Sequence, residues 1–236
     1  MIDFHSHILP EMDDGSTSVD ESLQMLKLSF AMGIDTIVLT PHYYADFETI
    51  DSFLERRNEK QQLLLLELEG KTDVPNIVVG AEVSFFSGMS REKEITQLCI
   101  ENTKFMLLEM PFSEWTSLTV NEIKNLIINR GITPIIAHIE RYLPYQRENR
   151  RIEELLVLGA IFQANGEAVT ESNKSRSILK MIDKNIIQLL GSDCHNLSER
   201  SPNLEQAFQI ISKKLGNSVL RKIDFNGRRI LNDEWI

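Results

Sequence analysis

Short apolar runs alternate with helical patterns along this sequence, and the alternation restricts the fold to the α/β classes. The runs are rich in Val, Ile, Leu and Phe, as strands are. They span residues 1–4, 35–39, 76–80, 105–108, 133–137, 160–164 and 186–191. Because they are almost continuously apolar, they predict a parallel sheet that is covered on both faces. Seven such units predict a barrel or a doubly wound sheet.

The segments between the runs carry signals for the starts and ends of helices. Ser18 and Glu21 match a capping box, and Thr119 and Glu122 repeat that pattern in a segment that ends at Gly131. Further helices are predicted over residues 51–70, 150–158, 173–184 and 203–215. Neither a linker nor a change of composition interrupts the chain, so the sequence predicts one domain over its whole length, residues 1–236.

The composition excludes several classes of partner. Lys and Arg number 25 against 35 Asp and Glu, and the net charge of −10 argues against binding to nucleic acid or anionic lipid. Two cysteines cannot form a disulfide framework, and the first residues lack the basic and apolar segments of a signal peptide. No apolar run approaches the roughly 18 residues of a membrane helix. These features predict a cytoplasmic protein without membrane insertion.

Polar side chains follow nearly every apolar run, at the point where the predicted strand ends. All five histidines of the chain lie at such positions, together with three carboxylates. They are His5, His7, His42, His138 and His195, with Glu82, Glu109 and Asp193. The carboxyl ends of parallel strands open on one face, so these side chains are expected to converge on one pocket. Imidazole with carboxylate is a ligand set for zinc, manganese or iron.

These residues belong to motifs that occur in a recognisable order. The motifs are His5-Ser6-His7-Ile8-Leu9-Pro10 with Asp13-Asp14-Gly15, Thr40-Pro41-His42, Gly80-Ala81-Glu82, Ala137-His138 with Glu140-Arg141-Tyr142, and Gly191-Ser192-Asp193-Cys194-His195-Asn196. From residue 1 to about residue 202, the series resembles the PHP (polymerase and histidinol phosphatase) superfamily. Within it, the series is most similar to the bacterial protein-tyrosine phosphatases encoded with capsule and exopolysaccharide genes. The resemblance implies an α/β fold that is a distorted (β/α)7, TIM-like barrel.

The resemblance also implies three divalent ions, usually manganese, with iron, zinc and cobalt as alternatives. The residues that match the ligands of the first ion are His5, His7, Glu82 and Asp193. The second ion shares Glu82 and adds Glu109 and His138, and the third takes Asp14, His42 and His195. Two positions depart from the family pattern, because Ile139 replaces a usual proline and Glu11 replaces a common glycine.

The implied activity is the hydrolysis of phosphotyrosine in proteins, with an autophosphorylated bacterial tyrosine kinase as the implied partner. A cluster of divalent ions lowers the pKa of bound water and supplies a hydroxide nucleophile. Asp14 and His42 are expected to act in catalysis, and so are Arg141 and Arg200, which match the family's phosphate-binding arginines. Arginines offer forked donors to phosphate oxygens.

Four aromatic residues lie in predicted loops on the side of the ligands. They are Tyr43, Tyr44, Phe112 and Trp115. Aromatic rings in such loops are candidates for stacking on the ring of phosphotyrosine, and Tyr43 and Tyr44 are the ones that we assign to substrate binding.

Three other functions are consistent with parts of the sequence. A PHP phosphatase could act on histidinol phosphate or a nucleotide, because the metal site is shared across the superfamily. Residues 194–201 fit the C-x5-R-S pattern of cysteine-dependent tyrosine phosphatases, but they contain no glycine between Cys194 and Arg200 and leave the other histidines unexplained. A non-enzymatic metal-binding module would not need the two arginines.

Overall fold

The structure, a computed structural model, describes residues 1–146 and 150–236. Its strands are β1 (Ile2–Ser6), β2 (Thr36–Leu39), β3 (His42–Tyr43), β4 (Asn76–Val79), β5 (Glu82–Ser84), β6 (Phe105–Glu109), β7 (Thr133–Ile136), β8 (Ile161–Asn165) and β9 (Leu189–Gly191). Its α-helices are α1 (Val19–Ala31), α2 (Ile50–Leu68), α3 (Ser117–Arg130), α4 (Arg150–Val157), α5 (Gly166–Thr170), α6 (Ser175–Asp183), α7 (Leu204–Leu215) and α8 (Asn217–Leu231).

The strands form one curled parallel sheet. The hydrogen-bonded order is β1-β2-β4 in one part and β3-β5-β6-β7-β8-β9 in the other. The two parts join because β3 continues β2 after a break at Pro41, and β5 continues β4 after a break at Gly80. At the far edge the chain beyond β9 returns to β1, where the amide of Asp193 donates to the carbonyl of His5 (2.8 Å). The fold is therefore the expected distorted, TIM-like barrel.

All seven predicted strand runs are confirmed as strands. β3 and β5 were expected only as the ends of runs, and α5 and α8 were not predicted. The predicted cap of α3 is wrong, because the hydroxyl of Thr116 accepts the amide of Thr119 (3.2 Å) and the helix begins at Ser117. Glu122 instead accepts a hydrogen bond from the amide of Ser90 (2.7 Å). Thr116, three residues upstream of Thr119, is an equally suitable N-cap residue, so the sequence alone placed the cap at the wrong threonine.

Alternate strand residues face two apolar layers. Leu39, Leu108 and Ile136 belong to the larger layer, which lies between the strands and the surrounding helices. The residues of the smaller, inner layer are Ile2, Phe4, Val38, Ile100, Phe105, Leu107, Ile135, Ala137, Ile161, Leu189 and Ile230. Because Ile230 lies on α8, this helix closes the inner layer at the amino ends of the strands. Among the described residues, no helix has the length and apolar character needed to cross a membrane.

Candidate metal and phosphate site

The carboxyl ends of the strands bring the five histidines and their neighbouring carboxylates into one buried cluster. Glu82, at the start of β5, lies at its centre with 1 % of its side chain exposed. Its Oε2 lies 3.1 Å from Nε2 of His5, 3.2 Å from Nε2 of His7 and 3.1 Å from Nδ1 of His42. Its Oε1 lies 2.9 Å from Nε2 of His138. The two oxygens of one carboxylate thus face different imidazoles.

The residues divide into three groups whose candidate ligand atoms lie within 4.8 Å of one another. The groups are His5, His7 and Asp193; Glu82, Glu109 and His138; and His7, Asp14, His42 and His195. Oδ1 of Asp193 is 3.5 Å from Nε2 of both His5 and His7. The structure therefore brings together all nine residues for which the sequence predicts metal ligation. It also places His7 between the first and third groups.

Two buried nitrogens test whether these residues fit a metal. Nδ1 of His42 and Nε2 of His195 have no hydrogen-bond partner among the described residues. Buried polar atoms in folded proteins almost always have one. Nδ1 of His42 lies 3.1 Å from a Glu82 oxygen, and Nε2 of His195 lies 3.3 Å from Oδ1 of Asp14, but neither pair is aligned for a hydrogen bond. A metal ion bound between these nitrogens and the facing carboxylate oxygens would give both nitrogens a partner. The cluster therefore fits divalent metal ions.

The cluster has a strong internal field. Burial opposes ionisation of Glu82, but the His5 imidazole and the hydrogen bonds from His138 hold the pKa of this carboxyl well below its usual range. Burial and then the neighbouring Glu82 raise the pKa of Glu109 to about 7. Burial and then His7 lower the pKa of His195 to about 4. Burial opposes protonation of His5 and His7, but Glu82 beside His5 and Asp13 beside His7 raise the pKa of both imidazoles, so a bound metal ion would displace their protons.

Three polar residues outside the predicted ligand set orient the candidate ligands. Asp13 accepts hydrogen bonds from Nδ1 of His7 (2.7 Å) and from the amide of His42 (2.8 Å). Gln163 accepts the amide of His138 (2.8 Å). Such partners fix the tautomer and ring orientation of metal-binding histidines. Asp13 precedes Asp14 in the first motif, so its position in the sequence was a signal that could have been used.

Asn165 is the third of these residues, and it continues the network from β8. Nε2 of Gln163 donates to Oδ1 of Asn165 (3.0 Å), whose Nδ2 donates to Oδ2 of Asp193 (2.9 Å). Both amide side chains are almost fully buried. A buried network with all its members paired restricts each of them to one orientation. β8 therefore holds Asp193 in place without offering a histidine or carboxylate itself.

Irregular backbone occurs at the ligand positions. His138 and Asp193 have positive φ angles of 29° and 54°. Few residues other than glycine adopt such angles, and they concentrate at functional sites. Glu11, where the related family commonly has glycine, also lies in this region with φ 56°. The departure at position 11 thus keeps the backbone conformation for which glycine is suited.

The two predicted phosphate-binding arginines lie side by side at the edge of the cluster. Arg141 donates to Oδ2 of Asp193 (2.5 Å), and Arg200 donates to Oδ1 of the same carboxylate (3.0 Å). Arg200 also lies 3.4 Å from Oδ2 of Asp14. The side chains are 36 % and 40 % exposed, and they line a cavity of about 240 Å³ that includes Asn165. Each arginine thus contacts a candidate metal ligand and is open to an incoming anion.

The aromatic residues differ in what their rings can reach. Tyr43 is 3 % exposed and packs edge-on against Phe53, and Trp115 is 2 % exposed and donates its indole N–H to the carbonyl of Pro111 (3.2 Å). The expectation that these two rings stack on a substrate is therefore wrong. Neighbouring strand residues point to opposite faces, so His42 faces the cluster and Tyr43 faces the core. Tyr44 is half-buried and stacks on His42, with ring centroids 5.1 Å apart.

Residues 194–201 do not form the phosphate loop of a cysteine-dependent phosphatase. The thiol of Cys194 is fully buried, and burial followed by the Asp3 carboxylate raises its pKa well above the usual range. The amide of His195 donates to the carbonyl of Arg200 (2.8 Å), and the amide of Ser198 donates to Oδ1 of Asn196 (2.9 Å). These amides are therefore not free for an anion, and the thiolate that this mechanism needs is disfavoured.

The fold is a parallel barrel, and the carboxyl ends of its strands carry three groups of imidazoles and carboxylates that could each hold a metal ion. These two features define the class of metal-binding barrel proteins. Residues 1–232 match the family described as "Capsular polysaccharide synthesis, CpsB/CapC", and the chain belongs to that family. It is 31 % identical over 253 residues to tyrosine-protein phosphatase CpsB of Streptococcus pneumoniae, with both chains covered completely.

Solved structures agree with this membership. One from a study of YwqE from Bacillus subtilis and CpsB from Streptococcus pneumoniae, described as unique metal-dependent tyrosine phosphatases, superposes with a TM-score of 0.84. It is 25 % identical, and the match covers 100 % of this chain and 96 % of the other. Histidinol phosphate phosphatase from Lactococcus lactis, complexed with zinc, L-histidinol and phosphate, is 14 % identical and superposes with a TM-score of 0.55 over 90 % of this chain and 92 % of the other. The second likeness shows the shared fold alone.

Proposed function

We propose that this chain is a metal-dependent protein-tyrosine phosphatase that hydrolyses phosphotyrosine in proteins and so regulates capsular polysaccharide synthesis. One observation carries the proposal: the Asp193 carboxylate bonds both Arg141 and Arg200 and also lies 3.5 Å from the imidazoles of His5 and His7. A candidate metal group and two phosphate-binding side chains thus share one residue. Family membership, and the names of the relatives, support phosphotyrosine as the substrate.

The cofactors are three divalent ions, with manganese as the expected metal. The residues that would hold them are His5, His7, Asp14, His42, Glu82, Glu109, His138, Asp193 and His195. When bound, the ions supply a water nucleophile activated at neutral pH and neutralise phosphate charge. Asp13 and Gln163 keep the histidines in orientations suited to ligation through the hydrogen bonds described above.

Arg141 and Arg200 bind the substrate phosphate through their forked N–H donors. Both side chains are half-exposed and border the same cavity, so they reach a phosphate from one side of the cluster. Phosphoryl transfer depends mainly on such positioning and charge neutralisation. The leaving phenolate has an ordinary pKa of about 10, so the reaction needs little help from a general acid.

The physiological substrate is an autophosphorylated tyrosine kinase of capsule or exopolysaccharide synthesis in the bacterial cytoplasm. The family description connects the chain with polysaccharide synthesis, and a phosphotyrosine phosphatase in that setting requires a phosphorylated protein. The net charge of −10 also disfavours nucleic acid as a partner.

The test compares three substrates with the manganese-loaded protein: a phosphotyrosine peptide, a phosphoserine peptide and histidinol phosphate. We expect the highest kcat/KM on the phosphotyrosine peptide, loss of turnover with EDTA, and more than one metal ion per chain by elemental analysis. Asp193→Asn is the variant that tests the shared carboxylate, because it keeps the shape of the side chain and removes its charge. Preference for histidinol phosphate, or turnover that survives EDTA, would overturn the proposal.

A further inference from the structure

Phe112 is an exposed aromatic residue at the edge of the ligand cluster. It lies three residues after Glu109, in the connection from β6 to α3, and 48 % of it is exposed. Its ring is nearly parallel to the imidazole of His138, with an interplanar angle of 16° and centroids 6.0 Å apart. His138 in turn lies 2.9 Å from Glu82, so the phenyl ring lies against one of the candidate metal ligands.

The backbone around Phe112 is held on both sides. The amide of Met110 donates to the hydroxyl of Tyr142 (2.9 Å), and the carbonyl of Pro111 accepts the indole N–H of Trp115 (3.2 Å). The phenyl ring also contacts Tyr142, at a centroid distance of 5.2 Å. About half of the ring stays exposed although its backbone is fixed, and a fixed ring suits ligand contact because little conformational entropy is lost on binding.

Both Phe112 and Arg141 adjoin His138, since the phenyl ring stacks on the imidazole and the amide of Arg141 donates to the His138 carbonyl (2.9 Å). Tyr142, which Phe112 contacts, directly follows Arg141, and Arg141 bonds Asp193. A phosphate bound at the cluster therefore has the exposed phenyl ring next to one of its candidate ligands, His138. The other aromatic candidate, Tyr44, covers His42 instead and is itself contacted edge-on by Phe47 at 5.8 Å.

We infer that Phe112 is the specificity-determining residue that binds the aromatic ring of phosphotyrosine, an inference that rests on the proposed phosphatase function. The phosphate group binds at the ligand cluster and the arginines, and the attached ring stacks on the exposed part of Phe112. Alkyl phosphates such as phosphoserine make no such contact. Discrimination between aryl and alkyl phosphates thus arises from ring contact in addition to the better leaving group.

The experiment measures kcat/KM of the manganese-loaded wild type, Phe112→Ala and Phe112→Leu. The substrates are a phosphotyrosine peptide, p-nitrophenyl phosphate and a phosphoserine peptide of the same sequence. An aromatic contact contributes enough to change kcat/KM about 2- to 12-fold. We expect a loss of that size on both aryl substrates, mainly through KM, and an unchanged rate on the phosphoserine peptide. Phe112→Leu keeps an apolar side chain of similar size and is expected to lose the same aryl preference.

Phe225→Ala is the matched control, since Phe225 is 58 % exposed on α8, far from the cluster, and its removal is expected to leave every rate unchanged. Equal losses on aryl and alkyl substrates would assign Phe112 to the support of His138 and overturn the inference. Wild-type rates in both Phe112 variants would overturn it as well. A wild type that hydrolyses no phosphate monoester refutes the proposed function itself, so the two failures are distinguishable.

Discussion

The two ends of the barrel use the same strands for opposite purposes. At the amino end, the inner layer is apolar and is closed by α8, where a Cβ on Gly227 would come within 2.6 Å of Phe4. At the carboxyl end, imidazoles and carboxylates converge, and the backbone of His138 and Asp193 adopts positive φ. The amino end is packed for stability, whereas the carboxyl end accepts backbone strain and buried charge. Barrel enzymes separate stability and activity in this way.

The change from apolar residues to candidate metal ligands occurs within a single strand, β1. Phe4 belongs to the apolar layer, yet the next residue, His5, enters the ligand cluster. The parallel register of β1 with β2 shifts between Asp3 and Ser6. Such an irregularity re-aims side chains that strict alternation would send to opposite faces. Local distortion of the strand, and not only its sequence, therefore builds the site.

The largest expected effect comes from removing one candidate ligand at the carboxyl end. His42→Ala should lower kcat/KM for p-nitrophenyl phosphate by more than about 100-fold, because a ligand matters more than the partners that orient it. Since His42 is the most exposed imidazole of the cluster, with 14 % of its side chain exposed, the melting temperature of the metal-free protein should change little. A steady-state assay with manganese and a thermal melt check both parts, and wild-type turnover would remove His42 from the metal site.

A smaller effect is expected from a residue that only orients ligands. Asp13→Asn removes the charge that accepts the Nδ1 proton of His7, and it should weaken metal affinity about 10- to 100-fold. Manganese titration against a chelator measures the loss, and excess manganese should restore much of the rate. Asp20→Asn, the same change on an exposed residue of α1, is the control and should bind metal as the wild type does. Equal affinities in the two variants would contradict the role of Asp13.

At the amino end, a core substitution should change stability and leave catalysis intact. Ile230→Ala removes a fully buried side chain from the inner layer and should lower the free energy of unfolding by about 2–5 kcal/mol. Urea unfolding measures this loss, with the exposed Ile128→Ala as control. The folded variant should retain the wild-type kcat/KM, and a large loss of activity would show that the two ends are coupled.

The smallest effect is expected at Cys194, which lies among the candidate ligands at the carboxyl end but takes no part in the proposed reaction. Cys194→Ser should leave kcat/KM within about twofold of the wild type, since the thiol is buried and its pKa is raised. Cys99→Ser, at the other buried cysteine, is the control. Both variants should remain sensitive to EDTA. Loss of turnover in Cys194→Ser but not in Cys99→Ser would support the cysteine mechanism.

Much of the fold was predictable because its strands are almost uniformly apolar. The runs at residues 105–108 and 133–137 became β6 and β7 with small changes at their ends. By contrast, α8 was missed, because its contribution to the core depends on Ile230 reaching an inner layer that exists only after the barrel closes. The cap of α3 was misplaced because Thr116 and Thr119 are chemically equivalent in sequence.

The sequence by itself predicted the candidate ligand set, since all five histidines follow predicted strands and the motifs resemble those of a metal-dependent family. The same resemblance singled out Arg141 and Arg200, and the structure places both against Asp193. Only the tertiary structure decided which aromatic rings reach the site, because burial of Tyr43 and Trp115 depends on packing between distant segments. It likewise decided that the Cys194 thiol is buried. The groups that a side chain can bind follow from its own chemistry, whereas its exposure and direction depend on every element packed around it.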